Sequence, residues 1–130
     1  VTGVQTCALP ILSRPPAPQP GLTVRWSLVG TADDIVDELA TYVEGTSHAR
    51  FTGMSGLRFK TWRAVRGAWF EGSYVFASEE ARAEFQASFT AVAPTSPVSV
   101  IVGAPPILIE PCEIIAVAEG WDGFEAKPRY

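Results

Sequence analysis

One histidine occurs in the chain, His48, and it falls in a stretch that holds half of the ten basic residues, Arg50, Arg58, Lys60, Arg63 and Arg66, with no acid between Glu44 and Glu71. An imidazole titrates near neutral pH, so His48 on a loop is the best candidate for a catalytic base. The aromatic residues Trp26, Phe59, Trp62, Tyr74 and Phe76 fall in the segments that read as strands, and they are candidates to bind a substrate. A titratable group beside an apolar, aromatic-rich cavity is the material of a site that holds a ring and moves a proton. In strands, however, such residues also simply build a core. The basic run reads in two ways, as a solvated strand edge paired with helix carboxylates or as an anion-recognising rim.

Other chemistries find no support in the residue pattern. There is no Gly-x-x-x-x-Gly-Lys-Ser/Thr loop for phosphate, no Gly-x-Gly-x-x-Gly and no Gly-x-Ser-x-Gly elbow. Gly53-Met54-Ser55-Gly56 is one residue short of that last pattern, which makes Ser55 a turn residue. Asp33, Asp34, Asp37 and Glu38 belong to the first turn of a helix, where the positive end favours them, and no second ligand cluster accompanies them. Cys112 between Glu110 and Glu113 lacks the nitrogen or sulfur partners of a zinc site. No metal is expected.

The elements that must position these residues follow from periodicity. Leu22, Val24, Trp26 and Leu28 alternate with polar residues, the period of a half-buried strand. Thr31 caps a helix whose face is Ile35, Val36, Leu39, Tyr42 and Val43, and Gly45 is its natural stop. A loop over residues 46–55 carries His48. Leu57, Phe59 and Thr61 then alternate with Arg58, Lys60 and Trp62 in a second strand, and Arg66-Gly67 turns the chain into a third, Trp69 to Ala77. In that strand Phe70, Tyr74 and Phe76 face one way and Trp69 and Val75 the other. Ser78 caps a second helix with Glu79 and Glu80 in its first turn and a stripe of Ala81, Phe85, Phe89 and Val92, ended by Pro94. Val98 to Val102 has some strand character. Ile107 to Glu119 is the last strand, with Pro111 marking an edge or bulge. The order β-α-β-β-α-β predicts an α+β, ferredoxin-like fold, a four-stranded antiparallel sheet with two helices on one face. Bulky apolar groups on the other face call for a second copy, hence a homodimer.

Length and composition agree with one domain: 130 residues, 47% hydrophobic, with a formal charge of −4. The acidic balance makes nucleic acid a poor partner. No uninterrupted apolar run approaches the roughly 18 residues of a membrane span. Val1–Ile11 is identical to the translation of a sequencing adapter and is excluded from fold reasoning; it also lacks the basic start of a secretory signal. Residues 12–21 are proline-rich and read as a linker or disordered leader, residues 22–120 as the domain, and residues 121–130 as a polar tail with Trp121 and Phe124. With Cys7 in the adapter segment, Cys112 stands alone, which makes a reducing cytoplasm the expected location.

Three stretches together carry a family likeness: Gly56-Leu57-Arg58-Phe59-Lys60-Thr61-Trp62, Glu71-Gly72-Ser73-Tyr74-Val75-Phe76 and Ser78-Glu79-Glu80-Ala81. Over residues 22–118 the chain resembles the YdhR-like monooxygenases of the dimeric α/β-barrel superfamily, relatives of the antibiotic-biosynthesis monooxygenases. The stretch 97–111 is longer and richer in proline than in that family. The resemblance implies a homodimer whose sheets pack into a barrel, and a cavity in each subunit between sheet and helices in which Trp62 and Tyr74 are candidate lining residues. It also implies oxygenation of a small aromatic or polyketide-like substrate without flavin, haem, metal or other cofactor. The alternative is a non-catalytic dimeric domain that binds a small hydrophobic ligand.

Overall fold

A computed structural model describes residues 18–124. The adapter-like segment, the first part of the proline-rich leader and the last six residues of the tail lie outside the described residues. In chain order the elements are β1 (Gln19–Ser27), α1 (Ile35–Tyr42), a π-helical turn (Val43–Ser47), α2 (His48–Phe51), β2 (Leu57–Val65), β3 (Trp69–Phe76), α3 (Glu79–Val92), a 3₁₀ turn (Ala93–Thr95), α4 (Pro97–Val102) and β4 (Leu108–Ile114). The strands form one antiparallel sheet in the order β2-β3-β1-β4. This α+β arrangement is compatible with a ferredoxin-like fold, and it puts the two strands richest in buried aromatics, β1 and β3, side by side in the centre.

Period two decides which face each strand residue joins. Leu22, Val24 and Trp26 of β1 and Phe70, Tyr74 and Phe76 of β3 are all buried on the helix side. There they pack with Ile35, Leu39, Val43 and Phe51, and with the partly buried Phe85, Phe89, Val98 and Ile101 of α3 and α4. Both helical stretches therefore cover the same face. Ser78 caps α3 as expected, its hydroxyl accepting from the Ala81 N–H at 3.1 Å. The turn at Gly67 has φ +78°, the left-handed conformation that a two-strand reversal asks of glycine. Pro111 lies opposite Leu22 on β4, at an edge of the sheet where a missing N–H does least harm.

Several boundaries differ from expectation. β1 starts at Gln19, inside the proline-rich leader, because Gln19, Pro20 and Gly21 pair with Ile114, Glu113 and Cys112. The Thr31 hydroxyl donates to the Leu28 carbonyl at 2.6 Å instead of capping, and α1 begins at Ile35 without a side-chain cap. Gly45 does not stop the helix: the chain passes through a π-helical turn into α2, so His48, Arg50 and Phe51 are helical and not in a loop. Val98–Val102 is helix and not strand. Pro97 opens α4 at a position where its missing N–H is harmless, and the buried Ser99 ties the turn down, so context overrides the β-propensity of valine. β4 ends at Ile114, short of the expected Glu119. The helical run Glu79–Val102 is long and apolar enough to cross a membrane by length and composition alone, against the expectation of no such segment. It is interrupted by the 3₁₀ turn, and Phe85, Phe89, Val98 and Ile101 along it pack on the sheet core.

Among the described residues no helix covers the sheet's other face. At its centre the Glu71 carboxylate, only 1% exposed, accepts from Arg25 Nε at 3.0 Å and Nη2 at 2.7 Å, from Arg63 Nε at 2.6 Å and from Ser73 Oγ at 3.1 Å. Both guanidinium groups stand over the Trp69 ring, 4.2 and 5.0 Å from its centre. Burial alone would raise the Glu71 carboxyl; the hydrogen bonds from Arg63, Arg25 and Ser73 outweigh it and hold it below the ordinary value.

Candidate ligand-binding site

Between the helix side of the sheet and the helical layer lies a cavity of about 370 Å³. That is within the range of small-molecule sites. β1 and β3 supply its floor with Trp26, Phe70 and Tyr74, β2 adds Lys60 and Trp62, the π-helical turn and α2 supply Ser47, Arg50 and Phe51, and α3 closes it with Phe85 and Phe89. Space exists because position 72 of β3 has no side chain. Gly72 sits opposite Trp62 and Val24, and a Cβ there would already touch Lys60 Cε and Tyr74 Cε1 at 3.4 Å and the Tyr74 hydroxyl at 3.5 Å.

The wall is rigid on the side of Trp26. Its indole Nε1 donates to Ser99 Oγ at 2.9 Å, Ser99 Oγ donates to the Ala93 carbonyl at 2.6 Å, and Ser96 Oγ donates to that same carbonyl at 2.8 Å. These bonds fasten α4 and the 3₁₀ turn to the sheet and satisfy the polar end of a buried tryptophan. On the opposite side the π-helical turn shifts the helix register just where Ser47, Arg50 and Phe51 meet the cavity. Such turns recur where a helix must re-aim side chains into a site.

Lys60, read from the sequence only as part of the basic run, is the cavity group missing from the expected site residues. A register shift between Leu57 and Phe59 inserts one residue into β2. Beyond it Lys60 pairs with Tyr74 and Trp62 with Gly72, so both point to the cavity, while Phe59 pairs with Val75 and points to the open face. The Lys60 Nζ lies 3.4 Å from the Phe51 ring centre, 4.3 Å from that of Tyr74 and 4.5 Å from that of Trp62. Burial, and secondarily the charge of Arg50, pull the amine well below the ordinary lysine value. Tyr74 is displaced the other way: burial raises its phenol above the ordinary range, so it stays protonated and serves as a hydroxyl.

Of the six expected site residues, Trp26, Trp62 and Tyr74 line the cavity. Phe59 does not, being 39% exposed on the open face, where its ring meets that of Phe124 at 6.5 Å. Phe76 is buried deeper in the core, stacked on Tyr74 at 5.8 Å and packed on Phe85 at 5.5 Å, and it too is absent from the lining. His48 is also not among the lining residues; its ring touches Trp62 at 6.0 Å and its Nδ1 faces the Thr52 hydroxyl at 3.4 Å. The helical path through the π turn places it there, next to the cavity wall instead of in it.

No protein-family model matches the chain, and no curated protein is similar to it.

Proposed function

We propose that the protein is a cofactor-independent oxygenase of a small phenolic or polyketide-like aromatic, of the YdhR-like kind, in which Lys60 takes the part first assigned to His48. The observation that supports this reading is an amine held toward its neutral form inside a cavity walled by rings. In its neutral form, which burial favours, the amine near a bound phenol removes the phenolic proton, and the resulting phenolate faces an ammonium group among aromatic walls that exclude water. An electron-rich ring of the anthrone type then reduces dioxygen itself. Its methylene carbon gains one oxygen and becomes a carbonyl, and the second oxygen leaves as water with the two hydrogens, so no outside reductant enters. Tyr74, protonated, donates to the developing oxyanion. Oxygen uptake with anthrones and quinols, by protein free of flavin and added metal, is the test. Lys60→Met is expected to slow uptake roughly 10²-fold, and His48→Ala to leave it within about twofold. Uptake that survives loss of Lys60 removes the base assignment, and tight binding without any uptake leaves the ligand-binding alternative.

A second copy on the open face belongs to the same reading. Phe59 and Val65 stay 39% and 49% exposed there, and Ile115, Val117 and Trp121, in the segment after β4, add further exposed apolar surface. An interface between two such sheets is expected to bury on the order of 1,600 Å² or more. Sedimentation at micromolar concentration checks it, and a stable monomer contradicts it.

A further inference from the structure

Seven basic side chains lie among the described residues, and five of them are already engaged. Arg25 and Arg63 hold Glu71, Arg66 pairs with Asp37 at 2.9 Å, Arg82 pairs with Glu79 at 2.6 Å, and Arg58 donates to Gln19 at 2.7 Å. Arg50 and Lys60 are the two with no ion pair or hydrogen bond to any described residue, and both line the cavity. Among the described residues no carboxylate lines it with them; the remaining polar side-chain groups of its wall are hydroxyls, those of Tyr42, Ser47 and Tyr74 among them, and the indole N–H groups of Trp26 and Trp62. Both cations stand on the Phe51 ring, Lys60 Nζ at 3.4 Å and the Arg50 guanidinium at 4.8 Å from its centre, Lys60 enclosed by three rings and Arg50 exposed.

From this we infer that the ligand binds as an aromatic organic anion, a ring system whose anionic oxygen, carboxylate or the phenolate formed at Lys60, Arg50 and Lys60 take together. The inference rests on the reading of the cavity as a site for a small aromatic. Its physics is that two basic groups beside one cavity disfavour each other's charge and the inner one is poorly solvated, so a site that keeps both without an acid among its described lining residues is completed by an anion from outside. Arginine at the mouth offers a planar fork to a carboxylate, while the enclosed lysine gains in charge as the anion arrives. The aromatic walls take the ring.

Calorimetric titration of the full chain with 2-naphthoate, 2-naphthamide and 2-naphthylmethylammonium, which share the ring and differ in charge, tests this. The carboxylate is expected to bind roughly tenfold or more tightly than the amide, and the ammonium weakest. Arg50→Gln, at an exposed position where folding is not at stake, and Lys60→Met are each expected to shrink the preference of carboxylate over amide while leaving the amide's affinity within about threefold. If the amide or the ammonium binds as tightly as the carboxylate, the anion inference fails and the aromatic site stands. If neither variant changes the preference, the anion does not sit on these two cations and the inference fails likewise. If none of the three binds, the reading of the cavity as an aromatic site fails with it.

Discussion

Two ionisable residues on adjacent strands, Lys60 on β2 and Glu71 on β3, occupy opposite faces of one sheet and opposite electrostatic conditions. Glu71 is nearly inaccessible and fully answered: two guanidinium groups and a hydroxyl supply four contacts of 3.1 Å or less. Lys60 is surrounded by Phe51, Tyr74 and Trp62 and, among the described residues, answered only by their π-faces. A cation over a ring is stabilised by about 0.5–2 kcal/mol, which does not replace the hydration of an ammonium group. The difference separates a charge that holds the fold from a charge held ready by it.

Removing each charge sets the comparison at risk, and the effects are expected to have opposite signs. Glu71→Ala leaves two arginines facing each other over Trp69 without their carboxylate. Loss of a buried partner costs about 3–5 kcal/mol, and the lower end applies because Arg25 and Arg63 are 31% and 59% exposed. A fall in Tm of roughly 10 °C or more follows for a domain of this size. Lys60→Met replaces a poorly solvated amine with apolar atoms that fill the same space, so Tm at pH 7 is expected to rise, by on the order of 1 kcal/mol. The pH dependence has a definite sign. The folded-state value of Lys60 is depressed, so between that value and about 10.4 the unfolded chain binds more protons and wild-type stability increases with pH. Glu71 is depressed in the acid range, so its contribution is present above about pH 4.3 and is lost as pH falls through its folded-state value. Thermal melts by circular dichroism across pH 3 to 10 are expected to show Lys60→Met flattening the alkaline limb and Glu71→Ala the acidic one. If Lys60→Met destabilises the chain as much as Glu71→Ala, Lys60 is a structural cation and the distinction collapses.

The frame was legible in the sequence because its signals are local. Alternation in β1 and β3, the Ser78 cap and the Arg66-Gly67 reversal each depend on neighbours within a few residues, and each appears in the structure. Trp26 and Tyr74 were legible as lining residues for the same reason, whereas Trp62 was named for its aromatic ring and by the family resemblance and not by its parity in the strand. Lys60 was not, because one inserted residue near Arg58 reverses the face of everything after it, and a bulge leaves no mark in hydrophobic pattern. The same shift explains why Phe59, an apolar residue at the expected parity, lies on the open face. His48 was misplaced by Gly45, which reads as a stop yet sits inside a continuous helical path; only packing of Val43 and Phe51 on the sheet decides that. Of the basic run, Arg58, Arg63 and Arg66 are engaged elsewhere, Arg66 with the helix carboxylate of Asp37 as the strand-edge reading expects, and Arg50 and Lys60 alone reach the cavity.

The smallest expected effect sharpens the contrast most, because it separates stability from binding at one position. Gly72 lies in the centre of β3, buried, opposite Trp62, with an ordinary backbone conformation that any residue adopts. Glycine in a strand interior is less stable than alanine by roughly 0.5–1 kcal/mol, through the entropy of the unfolded chain. The added methyl group would meet Lys60 Cε and Tyr74 Cε1 at 3.4 Å, which is van der Waals contact without a clash. Gly72→Ala is therefore expected to raise Tm by a few degrees. The same methyl group takes up space beside the Lys60 stem and the Tyr74 hydroxyl, where a ligand's acidic group belongs, so the affinity for 2-naphthoate is expected to fall by roughly three- to tenfold. A glycine kept for folding would give the reverse, a lower Tm with unchanged affinity. Melting and titration of the one variant thus decide whether the cavity is a by-product of packing or room reserved at some loss of stability.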